Sequence, residues 1–146
     1  MSGKRKEYIV IAGCGRLGVH LANQLSREGN SVVVIDVNEV KFKNLSAEFS
    51  GFRMEGDASE LEILKRAKTQ EAQKLIAVTR NDNVNLTIAQ IAQVVLHVPT
   101  VVARVSDPQR EAIFRELGIH TVCPVLLATD ELVRRFAEPH PRESGT

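Results

Sequence analysis

The sequence predicts a doubly wound α/β domain built on a parallel sheet, and two observations carry that prediction. Short β-branched runs alternate with helical patterns along the chain, and the clearest runs, "YIVIA" (8–12) and "SVVVID" (31–36), are apolar on consecutive residues. Consecutive apolar residues mark strands buried on both faces, as in a parallel sheet with helices on each side. Regular strand-helix alternation then favours right-handed crossovers within a single sheet.

Strands are expected at 8–12, 31–36, 51–55, 74–79, 100–105 and 120–124, with helices at 16–28, 39–48, 60–67, 83–96, 107–117 and 125–137. The first helix places Leu17, Leu21 and Leu25 towards the sheet and stops at Gly29-Asn30. Asp107-Pro108 opens the fifth helix, and Gly118 after Leu117 closes it. The segment "NLTIAQIAQVVLHV" is apolar nearly all round. Ile88, Ile91, Ala92 and Val95 are expected against the sheet, which leaves Leu86, Ala89, Val94 and Leu96 over. Such a helix serves either a larger core or a self-association interface. The last helix, with Leu126, Leu132, Val133 and Phe136, admits the same two readings.

A length of 146 residues suits one domain, and 43% hydrophobic with 25% charged residues is ordinary globular composition. Nineteen Lys and Arg against eighteen Asp and Glu create no field that draws nucleic acid or a membrane, so no nucleic-acid partner is expected. Residues 1–6 are expected to form a basic solvated tail, 7–137 the domain, and 138–146, with two prolines, a disordered tail. No apolar run reaches membrane-spanning length and no signal pattern opens the chain, so a cytoplasmic location is expected. Cys14 and Cys123 are then free thiols, Cys14 more simply a small buried side chain than a reactive one. The four histidines are scattered, and no metal site is expected.

The chemistry concentrates where the first strand meets the first helix. Gly13-Cys14-Gly15-Arg16-Leu17-Gly18 is a G-x-G-x-x-G sequence, and Asp36 closes the second strand. In a βαβ unit this combination marks a dinucleotide-type phosphate site. Gly13 permits the tight turn, Gly15 lets a phosphate approach the backbone, and Gly18 lets the helix approach the sheet. The helix start then offers free N–H groups and a positive dipole end. Asp36 either accepts from ribose hydroxyls, disfavouring a 2′-phosphate, or caps the next helix. Arg16 either pairs with phosphate or lies on the surface. Asp57, in "GDAS", either meets adenine or caps the helix near Glu60. Thr79, Arg80, Asn81 and Asp82 follow the fourth strand and can line the other half of a cleft. Arg104, a charge within an apolar strand, needs a partner.

The ordered set "GCGRLG", "VVVID", "GDAS", "LIAVTRNDNVN", "VVARVSDP" and "LGIHTVCP" resembles the N-terminal nucleotide-binding domain of the RCK family, also called KTN or TrkA-N, over residues 7 to 137. The resemblance implies a Rossmann-like doubly wound six-stranded parallel sheet in the order 3-2-1-4-5-6. It also implies a cytoplasmic regulatory subunit that forms dimers and then a homo- or heteromeric ring on an integral-membrane potassium transporter or channel. The implied ligand is an adenine nucleotide, with NAD(H) the alternative to ATP, ADP or AMP; Arg16 in the glycine motif tilts the choice towards the latter. By the same resemblance Gly13, Gly15, Arg16 and Gly18 match the phosphate loop, Asp36 the ribose carboxylate and Asp57 the adenine side. Thr79 and Asn85 match the segment after the fourth strand, and Arg104 the arginine of the fifth. Cys14, Leu17, Val37 and Ala58 complete the candidate cofactor set. Val125 stands where many members have a glutamate, so that residue's ligand role is not carried over. The C-terminal ligand domain that often follows in the family is not expected in this chain, and a second subunit is the expected source of any such ligand site.

The rival is a nicotinamide-dependent oxidoreductase or a fragment of one. It would need catalytic groups, yet Tyr8, the one tyrosine, opens the first strand, and His97 and His120 sit near strand starts, away from the ligand edge. A P-loop lysine motif is also missing. The expectation is a sensor with no catalytic residues.

Overall fold

The computed structural model describes residues 6–139. The basic run at 3–5 and the tail from 140 onward therefore lie outside the described residues. Six strands, β1 (Tyr8–Ala12), β2 (Ser31–Asp36), β3 (Phe52–Glu55), β4 (Lys74–Ala77), β5 (Thr100–Arg104) and β6 (His120–Val122), form one sheet in the order β3-β2-β1-β4-β5-β6. Every pairing is parallel. Among the described residues five α-helices accompany them: α1 (Arg16–Arg27), α2 (Leu61–Arg66), α3 (Asp82–Gln90), α4 (Glu111–Glu116) and α5 (Pro124–Ala137). The expected fold class and strand order are those observed.

The consecutive apolar runs are explained by the two cores. Val10, Ala12, Val33, Ile35, Leu75 and Ala77 point to the face that packs Leu64 of α2, Ile88 of α3 and Phe114 of α4. Ile9, Ile11, Val32 and Val34 point to the opposite face, under Val19 and Ala22 of α1 and under Leu45 and Phe49. Each fully buried Val, Leu, Ile or Phe among them contributes about 1.5–3 kcal/mol of transfer free energy. Central strands β1 and β2 are sandwiched, which is why alternation is lost from their sequences.

Several elements depart from the sequence reading. The expected helix at 39–48 is a 3-10 helix, Glu39–Asn44, capped by the Asn38 side chain accepting from Val40 N. Its Phe42, Leu45 and Phe49 imitate helical spacing, but Leu45 and Phe49 reach the core from the extended turn that follows. The long fourth helix is α3 followed by a π-helical turn, Ile91–Val95. That wider turn shifts the phase of the side chains. Beyond it Leu96 is buried and Val95 is exposed beside Val94, while Ala89, before the turn, is buried on the regular inward face of α3. In α1 the small residues Gly18 and Ala22 meet the sheet with Val19, Leu21 and Leu25 flank them, and Leu17 is exposed. The helix stops fall as expected, with Gly29 at φ +91 and Gly118 at φ +76.

After the π turn His97 takes φ +55, a left-handed conformation that glycine adopts without a Cβ penalty. His97→Gly is expected to raise stability by about 0.5–1 kcal/mol in urea unfolding; a loss of stability would show that the imidazole makes a contact that outweighs the backbone term.

Candidate functional site

The sheet order reverses between β1 and β4, and at that point a cleft of about 670 Å³ opens at the carboxyl ends of the strands. The glycine loop forms its floor. Gly13 N donates to Ile35 O (2.8 Å), and Val78 N donates to Ala12 O (2.8 Å), so the turn is tied to strands on both sides. Gly13 sits at φ +115, with Val78 and Thr79 backbone atoms 2.9 Å from where a Cβ would lie. A Cβ on Gly18 would stand 1.9 Å from Gly13 O. Gly15 differs from both, because nothing lies within 4 Å of its Cβ position. The first helical bond of α1 is Val19 N to Gly15 O (2.9 Å), so the N–H groups before it are left for an anion.

Twelve of the fifteen candidate residues line this cleft: Gly13, Gly15, Arg16, Leu17, Asp36, Val37, Asp57, Ala58, Thr79, Arg80, Asn81 and Arg104. Cys14, Gly18 and Asn85 do not. Gly18 is consumed by packing, and Asn85 is wholly buried behind the wall. The Cys14 thiol is 1% exposed and points away, towards Lys41 O (3.6 Å). Burial, with the Asp36 charge second, pushes that thiol up to about 11 against the partial opposition of Lys41 and Arg53.

Asp36 has a structural duty beside any ligand duty. Its Oδ2 accepts from Cys14 N and its Oδ1 from Asn38 N, both at 2.8 Å. The carboxylate thus staples the glycine loop to the turn after β2. Asp36→Ala would strand a buried N–H, a cost of about 1–3 kcal/mol, and is not a selective probe of binding. Asp57 Oδ1 accepts from Ser59 N (2.9 Å) and Ser59 Oγ (2.6 Å), closing the turn before α2, whose own N-cap is Glu60. It therefore caps a turn and still lines the cleft.

The electrostatics of the lining are one-sided. Arg16, Lys41, Arg80 and Arg104 face two carboxylates, Asp36 and Asp57. Arg104 Nε is buried and has no hydrogen-bond partner among the described residues. Sequence reasoning missed Lys41, which the 3-10 turn carries back beside the glycine loop; only recognition of that turn would have placed it there. Val84, Ile88 and Pro124 add an apolar wall on the β4 side.

A family model for the TrkA-N domain matches residues 9–124. The chain belongs to the TrkA-N family. It is 38% identical over 136 residues to a Trk system potassium uptake protein TrkA from Streptomyces coelicolor, an alignment covering 90% of this chain and 61% of that protein. The chain thus spans less than two thirds of that relative, and it spans 29% of a Trk system potassium uptake protein TrkA from Vibrio alginolyticus. Among solved structures, the TrkA-N domain of Escherichia coli inner membrane protein ybaL superposes with a TM-score of 0.79 at 22% identity, over 90% of this chain and 96% of that one. A Kef C-terminal domain from Shewanella denitrificans in AMP-bound form gives 0.75 at 20%, over 90% and 82%. The GsuK channel bound to NAD gives 0.68 at 18%, over 85% and 22%. At these identities the structural likenesses establish the fold. Among the described residues, no helix is long and apolar enough to cross a membrane and no group of three metal-ligating side chains assembles.

Two predictions follow from this geometry. Gly15→Ala keeps the melting temperature of the wild type within a few degrees, whereas Gly18→Ala costs several kcal/mol or prevents folding, as thermal unfolding will register. A thiol displaced to about 11 is roughly one part in a thousand ionised at pH 8. Ellman's reagent at that pH should therefore leave Cys14 untouched in the folded chain and titrate it promptly in urea; fast reaction without denaturant would contradict its burial.

Proposed function

We propose that this chain is the nucleotide-responsive regulatory domain of a potassium uptake system or channel, and that its ligand is an adenine nucleotide. The observation that carries the reading is the cation excess in the lining of the cleft, with Arg104 Nε buried and without a partner among the described residues. Four cations against two carboxylates suit a polyphosphate, and one charge-assisted bond from Arg104 contributes about 1.5–3 kcal/mol. The relatives named for Trk potassium uptake and the AMP-bound and NAD-bound neighbours support the same class of role. Asp36 beside Val37 at the end of β2 equally suits the ribose of NAD(H), which stays the second reading. Thr79, Arg80, Asn81 and Arg104, opposite the glycine loop, are suited to hold an anion rather than to pass a proton at neutral pH.

Self-association fits the surface. No residue of α5 is buried, and Val125, Leu127, Leu132, Val133 and Phe136 are exposed along it. The face of β4 to β6 opposite α3 and α4 leaves Ile76 and Val102 half-buried and Val122 exposed. We read these as surfaces covered by further subunits in a ring, homomeric or mixed, at the cytoplasmic side of a membrane potassium transporter. Nucleotide then acts by population shift, with leverage limited to its differential affinity for the ring geometries.

Calorimetric titration of nucleotide-stripped protein with ATP, ADP, AMP, NAD⁺ and NADH, with oligomer mass recorded alongside, tests the reading. ATP and ADP are expected to bind at least tenfold tighter than AMP, with Gly15→Asp abolishing binding and Arg104→Gln weakening ATP by roughly 10- to 100-fold. Binding of NADH alone would move the assignment to the dinucleotide, hydride transfer to any substrate would overturn the sensor, and binding of none would sink the site.

A further inference from the structure

We infer that Asn85 is a positioning residue that sets the phosphate-facing wall of the cleft by fixing Thr79 and Arg104, and is not itself a ligand contact. The inference rests on the nucleotide reading above. The β4–β5 ladder ends at the pair Ala77 and Ala103, so Thr79 and Arg104 lie past its last rung. The Asn85 side chain takes over there. Its Oδ1 accepts from Thr79 N (2.9 Å) and Thr79 Oγ1 (2.6 Å), while its Nδ2 donates to Thr79 O and Arg104 O (3.0 Å each). A backbone N–H can only donate and the two carbonyls can only accept, so the amide has one orientation that satisfies all of them. With 0% exposure and every donor and acceptor spent inside the protein, Asn85 has nothing left to offer a ligand.

What it does offer is geometry. Thr79, just past the end of β4, and Arg104, the last residue of β5, both line the cleft, and one amide spaces their backbones. One turn earlier on α3, Asp82 accepts from Ser106 N (2.8 Å) and Asp107 N (3.1 Å), which ties the chain just beyond Arg104 to the same helix. The root of Arg104 is thus immobilised by α3, and its buried Nε has no hydrogen-bond partner among the described residues. Receptors held this way bind without paying to organise themselves.

The test is a double-mutant cycle read as the preference for ATP over AMP, measured calorimetrically on Asn85→Asp, Arg104→Gln and the double variant. Asn85→Asp keeps the acceptor for Thr79 but sets an oxygen against two carbonyls. It is expected to remove at least tenfold of the preference, and the double variant to lose no more than Arg104→Gln alone. Phe114→Leu, in the core beneath α4, lowers stability without touching the cleft and should leave the preference unchanged. An unchanged preference in Asn85→Asp, losses that multiply in the double variant, or an equal effect of Phe114→Leu would each overturn the inference. Should Asn85→Asp fail to fold, hydrogen exchange on the wild type decides: the Thr79 amide must be protected without nucleotide to the level of the β4 amides, and loop-like exchange refutes the clamp. Wild-type protein that binds neither ATP nor AMP removes the nucleotide reading itself, and the inference with it.

Discussion

The approach of α1 to the end of β1 is the constraint on which the rest of the structure depends. A Cβ at position 18 would overlap Gly13 O at 1.9 Å, so the helix reaches the turn only because that atom is missing. From this contact the first turn of α1 points into the gap where the strand order reverses, and the turn after β2 can fold against it. Asp36 then joins the two through Cys14 N and Asn38 N. Move α1 outward by the width of a methyl group, and the staple loses its reach. The cleft is therefore a by-product of packing at glycine before it is anything electrostatic.

On that floor the two halves of the cleft divide the work. The β2–β3 side supplies carboxylates already engaged with backbone or hydroxyl donors, and so held in place. Across the loop the β4–β5 side supplies Arg80 and Arg104 against an apolar wall that includes Val84 and Ile88. A low-dielectric wall behind a cation strengthens its pull on an anion.

Much of this was legible in the sequence, and what was not has physical causes. Runs such as "VVVI" announced double burial, and the spacing of Gly13, Gly15 and Gly18 with Asp36 announced the loop. Twelve of the fifteen candidates line the cleft because strand ends follow directly from strand positions. The losses came where one residue changes helical phase. A 3-10 and an α-helix share composition, so Lys41 was not placed beside the loop. Ala89 lies on the regular inward face of α3 with Asn85 and Ile88, and past the π turn at 91–95 Leu96 rather than Val95 is buried. Asn85 was read as a ligand residue from its segment, and only its hydrogen bonds to Thr79 and Arg104 show that its amide is spent on the protein.

The site also has a history within the folding chain. Ile9 pairs with Val32 on one side and with Lys74 on the other, so β1 can join its near neighbour long before its distant one. Closing the larger loop is the slower event, since entropy must be surrendered before the contact is made. Until β4 docks, the glycine loop has no far wall, and Val78 N has not found Ala12 O. The cleft is thus the seam along which the two halves of the domain are sewn together. A ligand lying across it would bind the finished molecule alone, and would slow its unfolding by holding the last stitch closed.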